Sequence, residues 1–106
     1  IAKYYNKNII NSKITKISYS KYCVFHQYII LVKDRARLIK LFKKKKISFG
    51  FHYPYAINQL KVFKNYFKNK RYKNAEKLAK ESISLPIDPN LSSQKIKFIT
   101  KTLNEF

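Results

Sequence analysis

The sequence predicts an α+β domain, a small antiparallel sheet of about three strands covered by helices. Three observations carry that expectation. Tyr22 to Val32 alternates with a period of two and puts apolar residues on both sides, the pattern of a central strand. Three further stretches repeat apolar residues at helical spacing, and Pro54 and Pro86 each stop an extended run, since proline donates no backbone hydrogen bond. With 106 residues and no internal repeat or low-complexity linker, the chain holds one modest core, so residues 1–106 are read as one domain.

In order along the chain, Ile1 to Asn11 spaces Ile1, Ala2, Tyr4, Tyr5, Ile9 and Ile10 like the tail of a helix. Asn11 to Lys21 is polar and irregular, a connection with a short extended piece at Ile14 to Ile17. Within Tyr22 to Val32, His26 falls among core-facing positions and reads as a core histidine, and Cys23 as a small buried hydrophobe. Asp34 caps a helix through Lys45, with Leu38, Ile39, Leu41 and Phe42 inward and Arg35, Arg37 and Lys40 outward. The run Lys43 to Lys46 complements the dipole at that helix's carboxyl end. Ile47 to Tyr53 is the second strand. Asn58 to Phe67 makes a short helix burying Leu60, Phe63 and Phe67. Tyr72 to Ser82 makes a longer one with Tyr72, Ala75, Leu78 and Ala79 on one face and Glu76 paired with Lys80. Ser84 to Pro86 is a third short strand, Asp88-Pro89-Asn90 a turn, and Ser92 or Ser93 caps a last helix built on Ile96, Ile99, Leu103 and Phe106. The resulting order is helix, strand, helix, strand, two helices, strand, helix, a scaffold more than a machine.

Charge points to a different class. A net charge of +19 with sixteen per cent aromatic residues is the profile of a basic nucleic-acid binder, whose lysines release counterions from phosphate while rings stack on bases. The excess is almost all lysine, however, with only Arg35, Arg71 and Arg37 to offer a planar fork. Asn, Ile, Tyr and Phe are abundant while Gly, Trp, Met and Pro are scarce, which is how an A/T-biased genome inflates lysine on a tolerant surface. The longest apolar run, Tyr28 to Val32, is too short to span a bilayer, and Ile1 to Tyr22 is too polar for a secretory signal. The single Cys23 has no internal disulfide partner, and a reducing cytoplasm is the expected compartment. A chain that opens on Ile1 and lacks methionine is expected to be a piece of something longer.

Ser48 to Phe63 gathers the only glycine, Gly50, with His52, Tyr53 and Pro54, so an imidazole and a phenol stand at a strand end where the chain must turn. One glycine excludes a phosphate-cradling loop or a dinucleotide fingerprint. The acids Asp34, Glu76, Glu81, Asp88 and Glu105 are dispersed, no serine sits in a nucleophile elbow, and His26, His52 and Cys23 lack metal-ligand spacing. The sequence therefore offers no catalytic residue, no metal ligand and no cofactor-binding residue of its own.

Cys23-Val24-Phe25-His26-Gln27-Tyr28-Ile29-Ile30, Asp34-Arg35, His52-Tyr53-Pro54, Asn74-Ala75-Glu76 and the run Ser84 to Leu91 resemble the C-terminal domain of the DegT/DnrJ/StrS sugar aminotransferases. The likeness covers essentially the whole chain, and the order of HYP and SLP about thirty residues apart is fairly specific. It departs after HYP, where Ala56 and Asn58 replace a second proline and a second histidine common in the family. The resemblance implies the small domain of a fold type I enzyme that uses pyridoxal phosphate to move an amino group from an amino acid, usually glutamate, to a nucleotide-linked keto sugar. It implies that the lysine joined to the cofactor lies in a large domain absent from this chain, that the complete enzyme is a homodimer, and that His52 and Tyr53 contact the substrate, His52 at a diphosphate oxygen and Tyr53 at a sugar or phosphate oxygen. The residues alone leave open that both merely pack and close the strand end. Beside this stands a free-standing basic nucleic-acid-binding domain, and a chain with no activity of its own.

Overall fold

A computed structural model of the chain describes residues 1–68 and 70–106. Three antiparallel strands form one sheet in the order β1 (Ile14–Lys16), β2 (Tyr28–Val32), β3 (Ser82–Leu85). Ile14 faces Val32 in the first pairing, and Tyr28 faces Leu85 in the second. The helices are α1 (Ala2–Asn8), α2 (Arg35–Lys44), α3 (Lys64–Phe67), α4 (Lys73–Glu81) and α5 (Ser93–Asn104). The expected α+β class holds. On central β2, Tyr28, Ile30 and Val32 are buried while Ile29 and Leu31 are half-buried, as residues of alternating face require. They form one core with Tyr5, Leu38, Phe42, Ile83, Ile99 and Leu103, each such side chain contributing roughly 1.5–3 kcal/mol through the water it leaves.

Two phenols inside this core keep partners, as buried polar groups must. Tyr5 donates to the Pro86 carbonyl at 2.9 Å, Tyr28 donates to Asn6 Oδ1 at 2.6 Å, and their rings meet at 5.1 Å. Burial pushes both phenols above their ordinary range, Tyr28 to about 12, so both remain O–H donors.

Helix ends are closed by identifiable groups. Asp34 accepts from the Arg37 N–H at 3.1 Å, and Ser92 from the Lys95 N–H at 3.3 Å. At the end of α2 the Ile47 N–H reaches the Phe42 carbonyl at 2.9 Å and the Lys46 N–H the Lys43 carbonyl at 3.2 Å, with Lys46 left-handed at φ 54°. That is a Schellman closure carried by a lysine where glycine is the easier residue. The end of α1 is held from a distance. Asn104 accepts from the Ile10 N–H and donates to the Asn8 carbonyl, while the Lys16 ammonium bridges the carbonyls of Asn6 and Ile9.

Several local expectations are corrected. The strand expected over Tyr22 to Val32 begins only at Tyr28, because Phe25 takes φ 52° and breaks the run, leaving Tyr22 and Val24 79% and 92% exposed. The third ladder position belongs to Ile14–Lys16, and Ile47 to Tyr53 contributes only a single bridge between Gly50 and Ser84. Asn58 to Phe67 is two 3₁₀ turns, Ile57–Gln59 and Lys61–Phe63, running into α3, with Leu60 and Phe63 exposed and Phe67 half-buried. On α4, Ala79 is buried as expected, but Glu76 replaces Tyr72, Ala75 and Leu78 as its other buried residue. Arg35 is not directed to solvent. Its guanidinium donates to the carbonyls of Ala79 and Ser82, closing the end of α4, and lies 4.7 Å from the Phe51 ring centre.

Candidate functional site

The site begins with a short pairing. Gly50 and Ser84 exchange both backbone hydrogen bonds, at 3.2 and 2.9 Å, which lays the segment before Pro54 along the free edge of β3. Phe49 and Phe51 anchor that segment, with Phe49 6.1 Å from core Phe42 and 5.5 Å from Phe51, centre to centre. Two residues beyond the pairing, His52 Nδ1 lies 2.8 Å from Ser84 Oγ. One of the two donates and the other accepts, so the largely buried serine holds the ring in place. A Cβ on Gly50 would stand 2.8 Å from His52 Cε1, closer than real contacts allow. Glycine at 50 is therefore what lets the imidazole lie against the backbone.

Around this histidine is an open recess of about 400 Å³, lined by His26, Gln27, Ser48, Gly50, His52 and Ser84 with apolar walls that include Phe49 and Leu85. Tyr53 is 76% exposed beside it, its ring 6.2 Å from the imidazole and nearly perpendicular. Pro54 and Tyr55 border a second open recess of about 510 Å³ where Arg71, Lys73, Lys77 and Lys80 gather.

A buried carboxylate holds the far side of the loop. Glu76 accepts from Asn58 Nδ2 at 2.8 Å, the Tyr72 N–H at 2.9 Å and Arg71 Nε at 2.7 Å, with Arg71 Nη2 at 2.6 Å. The Arg71 hydrogen bond, then the Tyr72 N–H and Asn58, hold its carboxyl well below the usual range, at about 2. The segment that leaves the body after His52 is thus tied at both ends, by Ser84 and by Glu76.

Of the residues expected to act, His52 and Tyr53 are adjacent and reachable. His26, read as a core histidine, is exposed and lines the same recess as His52. The positive φ at Phe25 moves it there, and nothing in the alternating pattern signals that break. The sequence pattern marks Ser84 only as a strand residue and Glu76 only as an ion-pair partner of Lys80. Asn58 donates to Glu76 and so latches the loop on its far side. Among the described residues no three His, Cys, Asp or Glu side chains converge as a metal site, and no helix is long and apolar enough to cross a membrane.

A model of the DegT/DnrJ/EryC1/StrS aminotransferase family matches residues 1–104. The chain belongs to that family. Over 87 residues it is 33% identical to a Geobacillus stearothermophilus protein named pleiotropic regulatory protein, covering 81% of this chain and 23% of the relative. It is 25% identical over 108 residues to the dTDP-3-amino-3,6-dideoxy-alpha-D-galactopyranose transaminase of Aneurinibacillus thermoaerophilus, covering 100% of this chain and 30% of the relative. Helicobacter pylori PseC, an aminotransferase involved in the biosynthesis of pseudoaminic acid, shares the fold with a TM-score of 0.83 at 24% identity, over 98% of this chain and 30% of PseC. The chain thus spans between a fifth and a third of the length of the curated relatives it matches.

Family membership implies pyridoxal phosphate, and the recess beside His52 does not fit it. Holding that cofactor takes an amine to condense with its aldehyde and an acid at its ring nitrogen. Neither a lysine nor a carboxylate lines this recess.

Proposed function

We propose that residues 1–106 are the C-terminal small domain of a longer pyridoxal-phosphate-dependent aminotransferase. The complete enzyme moves an amino group from an amino acid, with glutamate as the expected donor, to the keto carbon of a nucleotide-linked sugar in polysaccharide biosynthesis. The observation that carries this reading is His52, pinned by Ser84 beside an exposed Tyr53, at the mouth of a recess in a chain matched from 1 to 104 by an aminotransferase family model. The cofactor, when bound in the large domain, supplies the electron sink and carries the amino group.

This domain supplies a wall of the substrate pocket. His52, fixed at Nδ1, offers its other ring nitrogen to a substrate oxygen, and Tyr53 offers a phenol to a sugar or phosphate oxygen. A pinned ring loses little rotamer freedom on binding, which favours affinity without new contacts. The enzyme is read as a cytoplasmic homodimer. In the complete polypeptide, His52→Ala and Tyr53→Ala are expected to raise the KM for the nucleotide keto sugar about tenfold, with the KM for glutamate unchanged, as loss of one hydrogen bond to a substrate predicts. Unchanged kinetics would reduce both residues to packing. The isolated chain is expected to show no pyridoxal-phosphate absorbance. Steeply salt-dependent binding of the isolated chain to duplex or single-stranded DNA would favour the basic nucleic-acid binder instead.

A further inference from the structure

His26 stands 26 residues before His52 in the chain and in the same recess in space. It is exposed and makes no side-chain hydrogen bond to any described residue, so neither packing nor an internal partner accounts for an imidazole there. The polar side chains that line the recess are His26, Gln27, Ser48, His52 and Ser84. All are groups that both donate and accept, or do either according to tautomer, as sugar hydroxyls do. Phe49, Leu85, Pro86 and Ile87 supply apolar wall, the complement of the C–H faces of a pyranose. Phosphoryl oxygens call for different chemistry, the charged donors of lysine and arginine. No such residue lines this recess, whereas Arg71, Lys73, Lys77 and Lys80 line the one beyond Pro54 and Tyr55. A volume of about 400 Å³ suits one hexose ring rather than a whole nucleotide sugar.

We infer that His26 is a second sugar-contacting residue: together with His52 it forms a subsite for the pyranose ring, and the diphosphate lies outside that subsite. This rests on the proposed function and adds to it a residue and a division of the ligand. The test compares binding of dTDP-glucose and UDP-glucose with binding of dTDP and UDP by the complete enzyme, using calorimetry on wild type, His26→Ala, His26→Gln and His52→Ala. His26→Ala is expected to weaken the better-bound nucleotide glucose about tenfold and leave its nucleoside diphosphate within twofold, with His26→Gln recovering part of the loss. Melting of the variants beside wild type separates a contact from a folding defect. Equal binding of nucleotide glucose by wild type and His26→Ala, with His52→Ala impaired, would overturn the inference and leave the proposed function standing. Equal weakening of nucleotide glucose and nucleoside diphosphate would move the contact to the diphosphate and overturn the subsite. No binding of these ligands by wild type would overturn the inference, and refusal of GDP- and CMP-linked sugars as well would remove the proposed function with it.

Discussion

The body of the domain and the excursion between Tyr53 and Tyr72 are both rich in large apolar residues, and those residues meet opposite fates. In the body, Tyr5, Tyr28, Ile30, Leu38, Phe42, Ile83 and Leu103 are fully buried in one core. In the excursion, Tyr53, Tyr55, Ile57, Val62 and Tyr66 stand 63% to 80% exposed, and among the described residues Ala56 alone is buried. Phe67 meets Phe63, Tyr66 and Tyr72 edge to face, an aromatic string that packs on itself rather than on the sheet. The body is held by area removed from water, the excursion by hydrogen bonds at its two ends. Apolar content therefore does not assign a residue to a core; a partner surface at the right spacing does.

This contrast can be broken or sharpened by substitution. Phe42→Ala, in the body, is expected to cost about 3–5 kcal/mol in denaturant unfolding, whereas Val62→Ala, in the excursion, is expected to stay within about 0.5 kcal/mol. Comparable losses at both positions would end the distinction. Arg35→Ala removes two charge-assisted bonds to carbonyls and the contact with Phe51, and is expected to cost about 2 kcal/mol, more than Arg37→Ala on the same helix.

Glu76 sharpens the excursion's side of the comparison through pH. Its carboxyl is held at about 2 in the fold against an ordinary value of 4.5, so the unfolded chain binds the proton first. The stabilisation is fully present above the ordinary value and is lost as pH falls through that interval toward 2. Thermal melts of Glu76→Gln are expected to show a flatter acid limb than wild type, and coinciding limbs would show that the latch carries no linkage. A change of the opposite sign is expected at Lys46, where φ is 54°. Lys46→Gly is expected to stabilise the Schellman closure by about 1 kcal/mol, because glycine takes that conformation without a side-chain clash.

The legible parts of the fold are those whose signals are local. Asp34 and Ser92 announce their helices, Pro86 stops β3, and the Asp88 turn is real, with the Asn90 N–H donating to Asp88 Oδ1 at 2.7 Å. The illegible parts depend on distant partners. Tyr22 to Gln27 alternates like a strand yet has no ladder. Tyr19 lends its hydroxyl to the Ile29 N–H at 2.9 Å, and its ring packs 4.9 Å from that of Phe25. Glu76 sits four residues before Lys80 and binds Arg71 and Asn58 instead, because the excursion returns to it. At the candidate site, His52 and Tyr53 are readable from the proline that follows them, whereas His26 and Ser84 join them only in three dimensions.

The amino-acid order by itself determined the α+β class, the helix caps, the proline stops and the presence of an imidazole and a phenol at a forced turn, since each follows from steric and hydrogen-bonding preferences within a few residues. Tertiary structure alone decided which runs pair as strands, which aromatic rings are buried, and that two histidines 26 residues apart share one recess. Pairing and burial depend on surfaces brought together by the whole chain, and no local pattern encodes the partner.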